Sequence, residues 1–294
     1  MKNSTTAKMS VIILMISSPQ AFAAVGLQVE SVAYDPIVRE QLLTSQRYDG
    51  ELSEYGIPTS SKRTIGFEIV SSDNADAYVI PASYGYPVSL LGGGEYLNLS
   101  ADLQYVNLEG PLGDKGGIGD SRIGAQYYLK HGTSIYSATA DLKLPTGDED
   151  DGLGSGSTDF GFSFGVRNRI DHLGYNARAG YLIRGEGEPN GFDVDYGNVI
   201  TLVTGAEFRV RPDFWVGADL AVAHTSTSEF TGGFEADGLQ TIDLIPHAFY
   251  RLCEDMDATF NVMYPLSESV VKGDANGAKP DREMSFSFGL NARF

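Results

Sequence analysis

The C-terminal stretch 284–294, Met-Ser-Phe-Ser-Phe-Gly-Leu-Asn-Ala-Arg-Phe, alternates strictly between apolar and polar side chains. The apolar positions are Met284, Phe286, Phe288, Leu290, Ala292 and Phe294. Successive side chains of a β-strand point to opposite faces, so this pattern predicts a strand with one apolar and one polar face. Such a strand is typical of the end of a bacterial transmembrane β-barrel, where the apolar face meets lipid. The final aromatic, Phe294, resembles the signal that the barrel-assembly machinery reads.

The same period of two recurs through most of the chain. Apolar stripes run along residues 97–105, 123–129, 136–144, 160–166, 175–183, 200–210, 214–222, 242–252 and 258–266. Two weaker segments, 62–71 and 76–89, precede them, and Pro81 and Pro87 interrupt the second. With the terminal strand, these segments predict an all-β protein: a transmembrane antiparallel up-and-down β-barrel of about twelve strands over residues 62–294.

The connections between the predicted strands alternate in length. Short turns are expected at 131–132, 171–172, 211–213 and 253–256, and long loops at about 108–118, 145–157, 186–195, 226–238 and 267–282. Short periplasmic turns and long extracellular loops distinguish an outer-membrane barrel, and a soluble β-sandwich has no reason to sort its loops in this way.

The N-terminus predicts export. Lys2 and Lys8 precede a short apolar run at 11–16, and Ala21-Phe22-Ala23 provides small residues for cleavage between Ala23 and Ala24. Residues 1–23 are therefore a predicted signal peptide. Residues 24–61 do not follow the strand pattern and are interpreted either as a periplasmic leader or as a plug segment. The predicted location is the outer membrane of a Gram-negative bacterium.

Composition narrows the class of protein. The 294 residues carry a net charge of −18, which becomes −20 without the two signal-peptide lysines. Such an acidic chain is not expected to bind nucleic acid. The 35 glycines suit a turn-rich β-protein, and no segment has 18 consecutive apolar residues. The single cysteine, Cys253, cannot form an intramolecular disulfide.

The polar face of the predicted strands should line the lumen, where charge is tolerated because it does not meet hydrocarbon. The candidate lumen-lining residues are Asp120, Arg122, Asp141, Lys143, Asp159, Arg167, Arg178, Arg184, Glu207, Asp219, Asp243, His247 and Arg251. A further basic group is expected near the periplasmic strand ends, where it would create a positive field or extend to the interface: Lys130, Arg169, Arg209 and Arg251.

The predicted turns suggest a register for some of these charges. If His131-Gly132 is a two-residue turn, Arg122 lies opposite Asp141, and Asp120 lies opposite Lys143. A two-residue turn at 171–172 sets Asp159 opposite Arg184. These pairs predict a charge belt near the extracellular mouth. The belt would either pack the lumen and fix the register or form a constriction that selects solutes.

Two segments resemble a known family. Gly117-Ile118-Gly119-Asp120 is followed by Leu144-Pro145-Thr146-Gly147-Asp148 and then by Gly154-Ser155-Gly156-Ser157-Thr158-Asp159. This order is similar to the motifs of the meta-pathway phenol-degradation family, and the resemblance extends over roughly 90–294. It implies an outer-membrane barrel of transporter type, often linked to the catabolism of aromatic compounds. Because the family's functional residues are poorly defined, it assigns no catalytic or binding residue here.

We therefore expect an outer-membrane channel for small, hydrophobic or aromatic solutes. The alternative is a non-conducting structural or surface barrel. A hydrolase is less favoured, because no His-Glu-x-x-His motif is present and the Gly-x-Ser-x-Gly match at 161–165 falls within an alternating strand segment rather than at a strand-to-helix turn. No enzymatic activity, cofactor or metal is expected. The long loops are acidic and are interpreted as solvated, although carboxylates there could also bind cations that bridge lipopolysaccharide. Expected partners are outer-membrane lipid, lipopolysaccharide, the barrel-assembly machinery and the solute.

Overall fold

The computed structural model describes residues 62–71, 76–89, 95–109, 115–151, 153–191, 193–230, 234–236, 238–272 and 284–293. The predicted signal peptide with its cleavage site at Ala23 and Ala24, the segment 24–61 and Phe294 lie outside the described residues. Within these ranges the chain is almost entirely β-structure, with one 3-10 turn at Pro189–Gly191. No helix in the described ranges is long and apolar enough to cross a membrane.

Seventeen strands are described. Twelve long strands and one short strand form a large sheet, and the other four short strands form a second sheet. The twelve long strands are β1 (Lys62–Ser71), β2 (Asp76–Ser89), β3 (Glu95–Glu109), β5 (Ser121–His131), β6 (Ser134–Leu144), β7 (Asp159–Ile170), β8 (Leu173–Ile183), β11 (Val199–Arg211), β12 (Phe214–Thr225), β15 (Gly238–Cys253), β16 (Met256–Lys272) and β17 (Ser285–Arg293). The short strands are β4 (Lys115–Ile118), β9 (Glu186–Gly187), β10 (Val194–Asp195), β13 (Ser228–Phe230) and β14 (Phe234–Ala236).

The twelve long strands close into an antiparallel barrel. Each pairs with the next one along the chain, and β1 pairs with β17 from Thr64↔Arg293 to Ser71↔Phe286. The last strand predicted from the terminal alternation thus closes the barrel, and the predicted twelve-stranded fold is confirmed. Closure matters because it leaves no sheet edge with unpaired backbone groups.

The two ends of the barrel differ in the length of their connections, as the sequence predicted. At one end, two-residue turns occupy 132–133, 171–172, 212–213 and 254–255, and we call this the short-turn end. At the opposite, long-loop end, β4 folds back along β3, and β9, β10, β13 and β14 form a separate four-stranded sheet. The long loops therefore carry structure of their own, which the alternation pattern did not reveal.

The register is as predicted at one short turn and wrong at another. Across 171–172 the ladder runs from Ile170↔Leu173 to Phe160↔Ile183, as predicted. Across the preceding turn His131 pairs with Ser134, so the loop is Gly132-Thr133 and the predicted register is two positions out. The reason is the left-handed conformation of the first loop residue. Gly132 has φ 60°, and Asp171 has φ 53° at the equivalent place.

The two faces of the barrel wall have opposite character. Large apolar side chains are exposed on the outer face of every long strand; examples are Leu103 at 56%, Phe164 at 63% and Tyr264 at 51%. On the inner face the alternate positions are mostly polar and buried or half-buried, as on β7, where Phe160, Phe162 and Phe164 alternate with Asp159, Gly161 and Ser163. This arrangement suits a wall with lipid outside and a polar lumen inside.

We predict that a positive charge at Phe164, halfway along β7 on the outer face, strongly destabilises the membrane-inserted barrel. Phe164→Arg should lower the free energy of unfolding from liposomes by about 2–4 kcal/mol, because the guanidinium would meet hydrocarbon. Phe164→Leu is the matched control, since it keeps an apolar side chain at this position, and it should change stability far less. Denaturant titration of the refolded proteins measures both, and equal stability of the two variants would contradict a lipid-facing Phe164.

Candidate functional site

The candidate site is the inner wall of the barrel and the long-loop end that adjoins it. The predicted lumen-lining charges lie on the inner face of the long strands or, for Asp120 and Arg184, at buried positions next to strand ends. The most deeply buried are Asp120, Lys143, Asp159, Arg184, Asp219 and Asp243. The others are half-buried: Arg122, Asp141, Arg167, Arg178, Glu207, His247 and Arg251.

Lys143, at the end of β6, lies between two buried carboxylates. Its Nζ is 2.7 Å from Asp159 Oδ2 and 3.3 Å from Asp120 Oδ2. The side chains of all three residues are at most 4% exposed. Nζ also donates hydrogen bonds to the hydroxyls of Ser155 and Ser157. A buried cation surrounded by acceptors in this way holds three segments of the chain together.

The carboxylate of Asp120 joins the loop between β6 and β7 to the start of β5. Asp120 Oδ1 accepts a hydrogen bond from the backbone N–H of Gly147 at 3.1 Å, and Oδ2 accepts one from that of Ser155 at 3.0 Å. Thr146 Oγ1 donates to the carbonyl of Gly119 at 2.9 Å and accepts from the backbone N–H of Ser121. The segments 117–120, 144–148 and 154–159, which carried the family resemblance, therefore meet in one place, which we call the Lys143 corner.

Asp159 closes the Lys143 corner on its other side. Its Oδ1 accepts hydrogen bonds from Ser157 Oγ at 2.7 Å and from the backbone N–H of Gly185 at 3.1 Å. Asp159 also lies directly opposite Lys143 in the ladder between β6 and β7. The loop that follows β8 is thereby attached to the loop that precedes β7, and Tyr196 Oη donates to the carbonyl of Ser155 at 3.2 Å.

The predicted charge belt is only partly correct. Asp120 does form an ion pair with Lys143, but the predicted position directly opposite it is wrong, because Asp120 lies just before β5 and Arg122 lies opposite Lys143. The predicted pair Arg122 with Asp141 is wrong, because Arg122 lies opposite Lys143 on one side and opposite Asp102 on the other. The shifted turn at 132–133 causes this error.

The surroundings of Asp141 and Arg184 show what these two members of the predicted belt contact. Asp141 lies between Gly124 and Gly161 on the two neighbouring strands. Arg184, predicted opposite Asp159, stacks its guanidinium over the ring of Tyr196 at 4.3 Å from the centroid. The Asp159 carboxylate forms its ion pair with Lys143.

Further along the wall, polar side chains reach across glycines of the strand between them. Arg169 on β7 forms an ion pair with Glu207 on β11, and Gly174 of β8 lies between them in the ladder. A Cβ at Gly174 would be 2.7 Å from Glu207 Cγ. Glycine is therefore required for the ion pair to lie flat against the wall.

The same arrangement recurs one step closer to the long-loop end. Asn176 Nδ2 on β8 donates to Asp219 Oδ1 on β12 at 3.0 Å, across Gly205 of β11. A Cβ at Gly205 would collide with Asp219 Oδ1. On its other side, Asp219 Oδ2 is 3.4 Å from His247 Nδ1. A row of polar groups thus crosses four strands, from β8 to β15, along the inner wall.

The inner wall also carries an apolar cluster in its middle and long-loop half. Its members are almost completely buried: Leu182, Val199, Val203, Ala221, Ala223, Ile245 and Met263. Because they fall at inward positions of β8, β11, β12, β15 and β16, they form a surface of the lumen side rather than of the lipid side. This surface was not predicted, because the inward positions were identified from their charged residues alone.

Near the short-turn end the inner wall carries an aromatic and basic group that the sequence analysis also missed in part. Trp215 and Phe249 lie opposite each other on β12 and β15, with ring centroids 5.2 Å apart in an edge-to-face arrangement. Arg251 places its guanidinium 5.4 Å from the Trp215 ring centroid. The sequence does contain a signal for this group: Trp215 and Phe249 are large aromatic residues at inward positions, each between two outward residues of its strand.

The long-loop end shows one electrostatic shift and no described metal site. The hydrogen bond and charge of Asp151 raise the pKa of Lys115 above its ordinary value, and the pair is solvent-exposed. Asp148 Oδ1 accepts hydrogen bonds from the backbone N–H groups of Asp150 and Asp151, so this acidic run is an ordered turn. Among the described residues, no group of three or more His, Cys, Asp or Glu side chains could hold a metal ion.

The sequence profile of a protein family matches residues 64–266, which include most of β1, all strands from β2 to β15 and much of β16. That family is described as "Putative MetA-pathway of phenol degradation". The chain belongs to this family. The resemblance seen in the motifs at 117–159 is therefore confirmed, and these motifs are the residues that build the Lys143 corner. As a closed barrel with an apolar outer face, this family member is located in the outer membrane.

Solved structures support the fold. The chain is similar to the crystal structure of the COG4313 outer membrane channel from Pseudomonas putida F1, with 14% identity and a TM-score of 0.68; the match covers 81% of this chain and 97% of that one. A KdgM porin in complex with disordered oligogalacturonate is 10% identical over 79% of this chain and 99% of that chain, with a TM-score of 0.48 that is too low to support an argument. No curated protein matches the sequence.

We predict that the Lys143 corner is a major contribution to the stability of the barrel. Lys143→Met should destabilise the refolded protein by about 3–5 kcal/mol, because it leaves the buried carboxylates of Asp120 and Asp159 without their cation. Denaturant unfolding of the refolded protein measures the loss.

Lys115→Met is the matched control, since it removes a lysine from an exposed pair with Asp151. It should leave the unfolding midpoint nearly unchanged. If both lysine variants unfold at the wild-type midpoint, the corner does not have this role.

Proposed function

We propose that this protein is an outer-membrane channel for small aromatic or hydrophobic solutes. One observation carries the proposal: the twelve-stranded barrel has a polar inner face whose charged groups are held along the wall. Twelve strands lie between small barrels filled by side chains and the open sixteen-stranded porins, so strand number alone does not decide between a filled and an open lumen.

The arrangement of the inner polar contacts supports a passage along the barrel axis. Lys143 pairs within adjacent strands and the loop beside them, Asp219 pairs with the adjacent β15, and Arg169 reaches only to the second strand along the wall. Each of these contacts follows the wall rather than crossing the lumen. The glycines at 174 and 205 allow this flat arrangement. An inner surface with both polar and apolar parts also suits solutes that combine an apolar ring with a polar group.

A second candidate, a non-conducting barrel, is favoured by the inner apolar cluster. Leu182, Ala221 and Ile245 lie on the inner face and are completely buried. Complete burial of inward side chains is the behaviour of a filled lumen, in which packing rather than passage is the role of the inner wall. Measurement of solute flux distinguishes the two candidates.

We propose that the acidic long loops contact lipopolysaccharide and that the barrel-assembly machinery recognises Phe294. The basis is the charge of these loops and the apolar alternation of the last strand. We also predict that the protein has no enzymatic activity. The polar residues of the inner wall would then bind solutes without converting them.

We predict that the mature protein, refolded into liposomes, admits 4-hydroxybenzoate faster than a sugar of similar size and faster than empty liposomes. Thr139→Trp, on the inner face of β6, should slow this flux because it adds bulk to the lumen side. Ala140→Trp adds the same side chain at the next position, on the exposed outer face, and should leave the flux unchanged. Stopped-flow uptake measurements on vesicles with equal protein content provide the comparison.

Flux no faster than in empty liposomes would overturn the channel and favour the non-conducting barrel. Equal slowing by the two tryptophan variants would show that the flux does not pass through the lumen.

A further inference from the structure

Four uncharged side chains form a block on the inner wall where β3 and β5 pair. Asn98 lies directly opposite Gln126 in this ladder, and Tyr96 lies directly opposite Tyr128. All four point inward, because they alternate with outward residues such as the exposed Leu99. Side chains that lie opposite each other on one face of a sheet are neighbours. This group, which we call the Asn98 block, therefore presents two amides beside two phenol rings.

The amide oxygen of Asn98 is a buried acceptor that lacks a donor. Asn98 is 4% exposed, and within the described residues its Oδ1 has no hydrogen-bond partner. The amide lies over Gly85 of β2, where an added Cβ would be 3.1 Å from Oδ1. Buried polar groups are nearly always hydrogen-bonded, and one without a partner is destabilising. A ligand group that donates a hydrogen bond would therefore be stabilised at this place.

Gln126 supplies the complementary hydrogen-bonding group. Its Oε1 accepts a hydrogen bond from Tyr128 Oη, which fixes the orientation of the amide. In the described part of the chain this is the one hydrogen bond of the Gln126 side chain, so its two N–H donors are left for a ligand. Gln126 is half-buried, and its amide can be reached from the lumen. An acceptor on Asn98 and donors on Gln126 thus lie side by side.

The Asn98 block carries no charge, and small residues adjoin it. Ser137 and Thr139 occupy the facing positions on β6, and Gly124 is the next inward residue of β5. These small side chains leave room beside the amides for a ring. Inward charges follow one position further along β5 and β6, at Lys130 and Asp141. Since the block has no charge to offset the desolvation of an ion, it suits a neutral ligand.

The two tyrosine rings add a preference for an aromatic ligand. Tyr128 is 6% exposed, so its ring is part of a surface that holds little water. Aromatic groups pack on such rings through edge-to-face and offset contacts. A sugar carries several hydroxyl groups, and two amides satisfy only some of them, so its desolvation is costly here. A ring with one hydroxyl group fits the hydrogen-bonding capacity of the block better.

We infer that Tyr96, Asn98, Gln126 and Tyr128 form a binding site for an uncharged phenol. The ligand's hydroxyl donates to Asn98 Oδ1 and accepts from Gln126 Nε2, and its ring packs against the two tyrosines. An ionised aromatic acid has no proton to donate to Asn98, and an aromatic hydrocarbon can neither donate nor accept. The site deepens the proposed channel function, on which its biological role rests, by naming neutral phenols as the solute class.

Fluorine NMR with 4-fluorophenol provides a direct assay of this site. In the presence of the refolded, detergent-solubilised protein, the fluorine resonance should show a saturable shift that protein-free micelles do not give. Half-saturation should require about fivefold or more 4-fluorotoluene or 4-fluorobenzoate, because each of them forms fewer of the hydrogen bonds. Glucose should not displace 4-fluorophenol. These titrations use the wild-type chain and do not depend on how a variant folds.

Variants then locate the acceptor. Asn98→Leu should raise the 4-fluorophenol concentration at half-saturation about fivefold or more and change that of 4-fluorotoluene far less, because it removes the amide and keeps the size. Its unfolding midpoint should be no lower than that of the wild type, since no described hydrogen bond is lost. Asn261→Leu is the matched control: Asn261 is an inward residue of β16 that donates to Ser287 Oγ at 3.0 Å. Its 4-fluorophenol titration should match the wild type.

The inference is overturned if 4-fluorophenol gives no saturable shift, or if 4-fluorotoluene or 4-fluorobenzoate binds as well. Displacement by glucose at equal concentration would overturn the aromatic class, and equal titrations of the two leucine variants would overturn the role of Asn98. The outcome is separable from that of the flux measurement. Binding without flux would keep the site and remove the channel, whereas flux of 4-hydroxybenzoate without binding of 4-fluorophenol would keep the channel and remove the site.

Discussion

The closure of the backbone hydrogen-bond ladder is the constraint on which the rest of the structure depends. In hydrocarbon a strand edge has no water to satisfy its N–H and C=O groups, so β17 must pair with β1. Closure by twelve antiparallel strands fixes which residues face lipid, because the side-chain direction alternates along each strand. It also fixes which long loops become neighbours at the long-loop end. The Lys143 corner then connects those neighbouring loops to the wall through Asp120 and Asp159.

On the inner face of the wall, glycines determine which polar side chains can contact each other. Gly174 and Gly205 allow Arg169 and Asn176 to reach the second strand along the wall, where they meet Glu207 and Asp219. Without a glycine between them, these side chains would have to point into the lumen or exchange partners. The ion pair and the hydrogen bond are thus a consequence of the ladder register, and both depend on glycines that carry no side chain.

The sequence contained the fold but only part of the site. The alternation around Phe286 and Phe288 and the loop lengths sufficed for twelve strands, because lipid exposure imposes a strict period of two. The register at 132–133 was wrong, because the choice between two turn positions depends on which residue takes a left-handed conformation, and alternation does not record that. The contact of Asp120 with Lys143 was foreseen, whereas the serines and backbone N–H groups that complete the corner required the folded loops. The position of Trp215 was not predicted, because an aromatic residue at an inward position leaves the apolar alternation of the outward positions unchanged.

The inner wall changes character along the barrel, and this bears on how a solute could cross it. The apolar cluster around Leu182 and Ile245 lies in the long-loop half, and the group around Trp215 and Arg251 lies near the short-turn end. A solute that crosses the barrel would therefore meet an apolar surface in one half and an aromatic and basic group in the other. Passage requires binding that is favourable enough for the solute to enter and weak enough for it to leave. Two different surfaces in succession along the axis meet this requirement, because neither surface extends over the whole length of the wall.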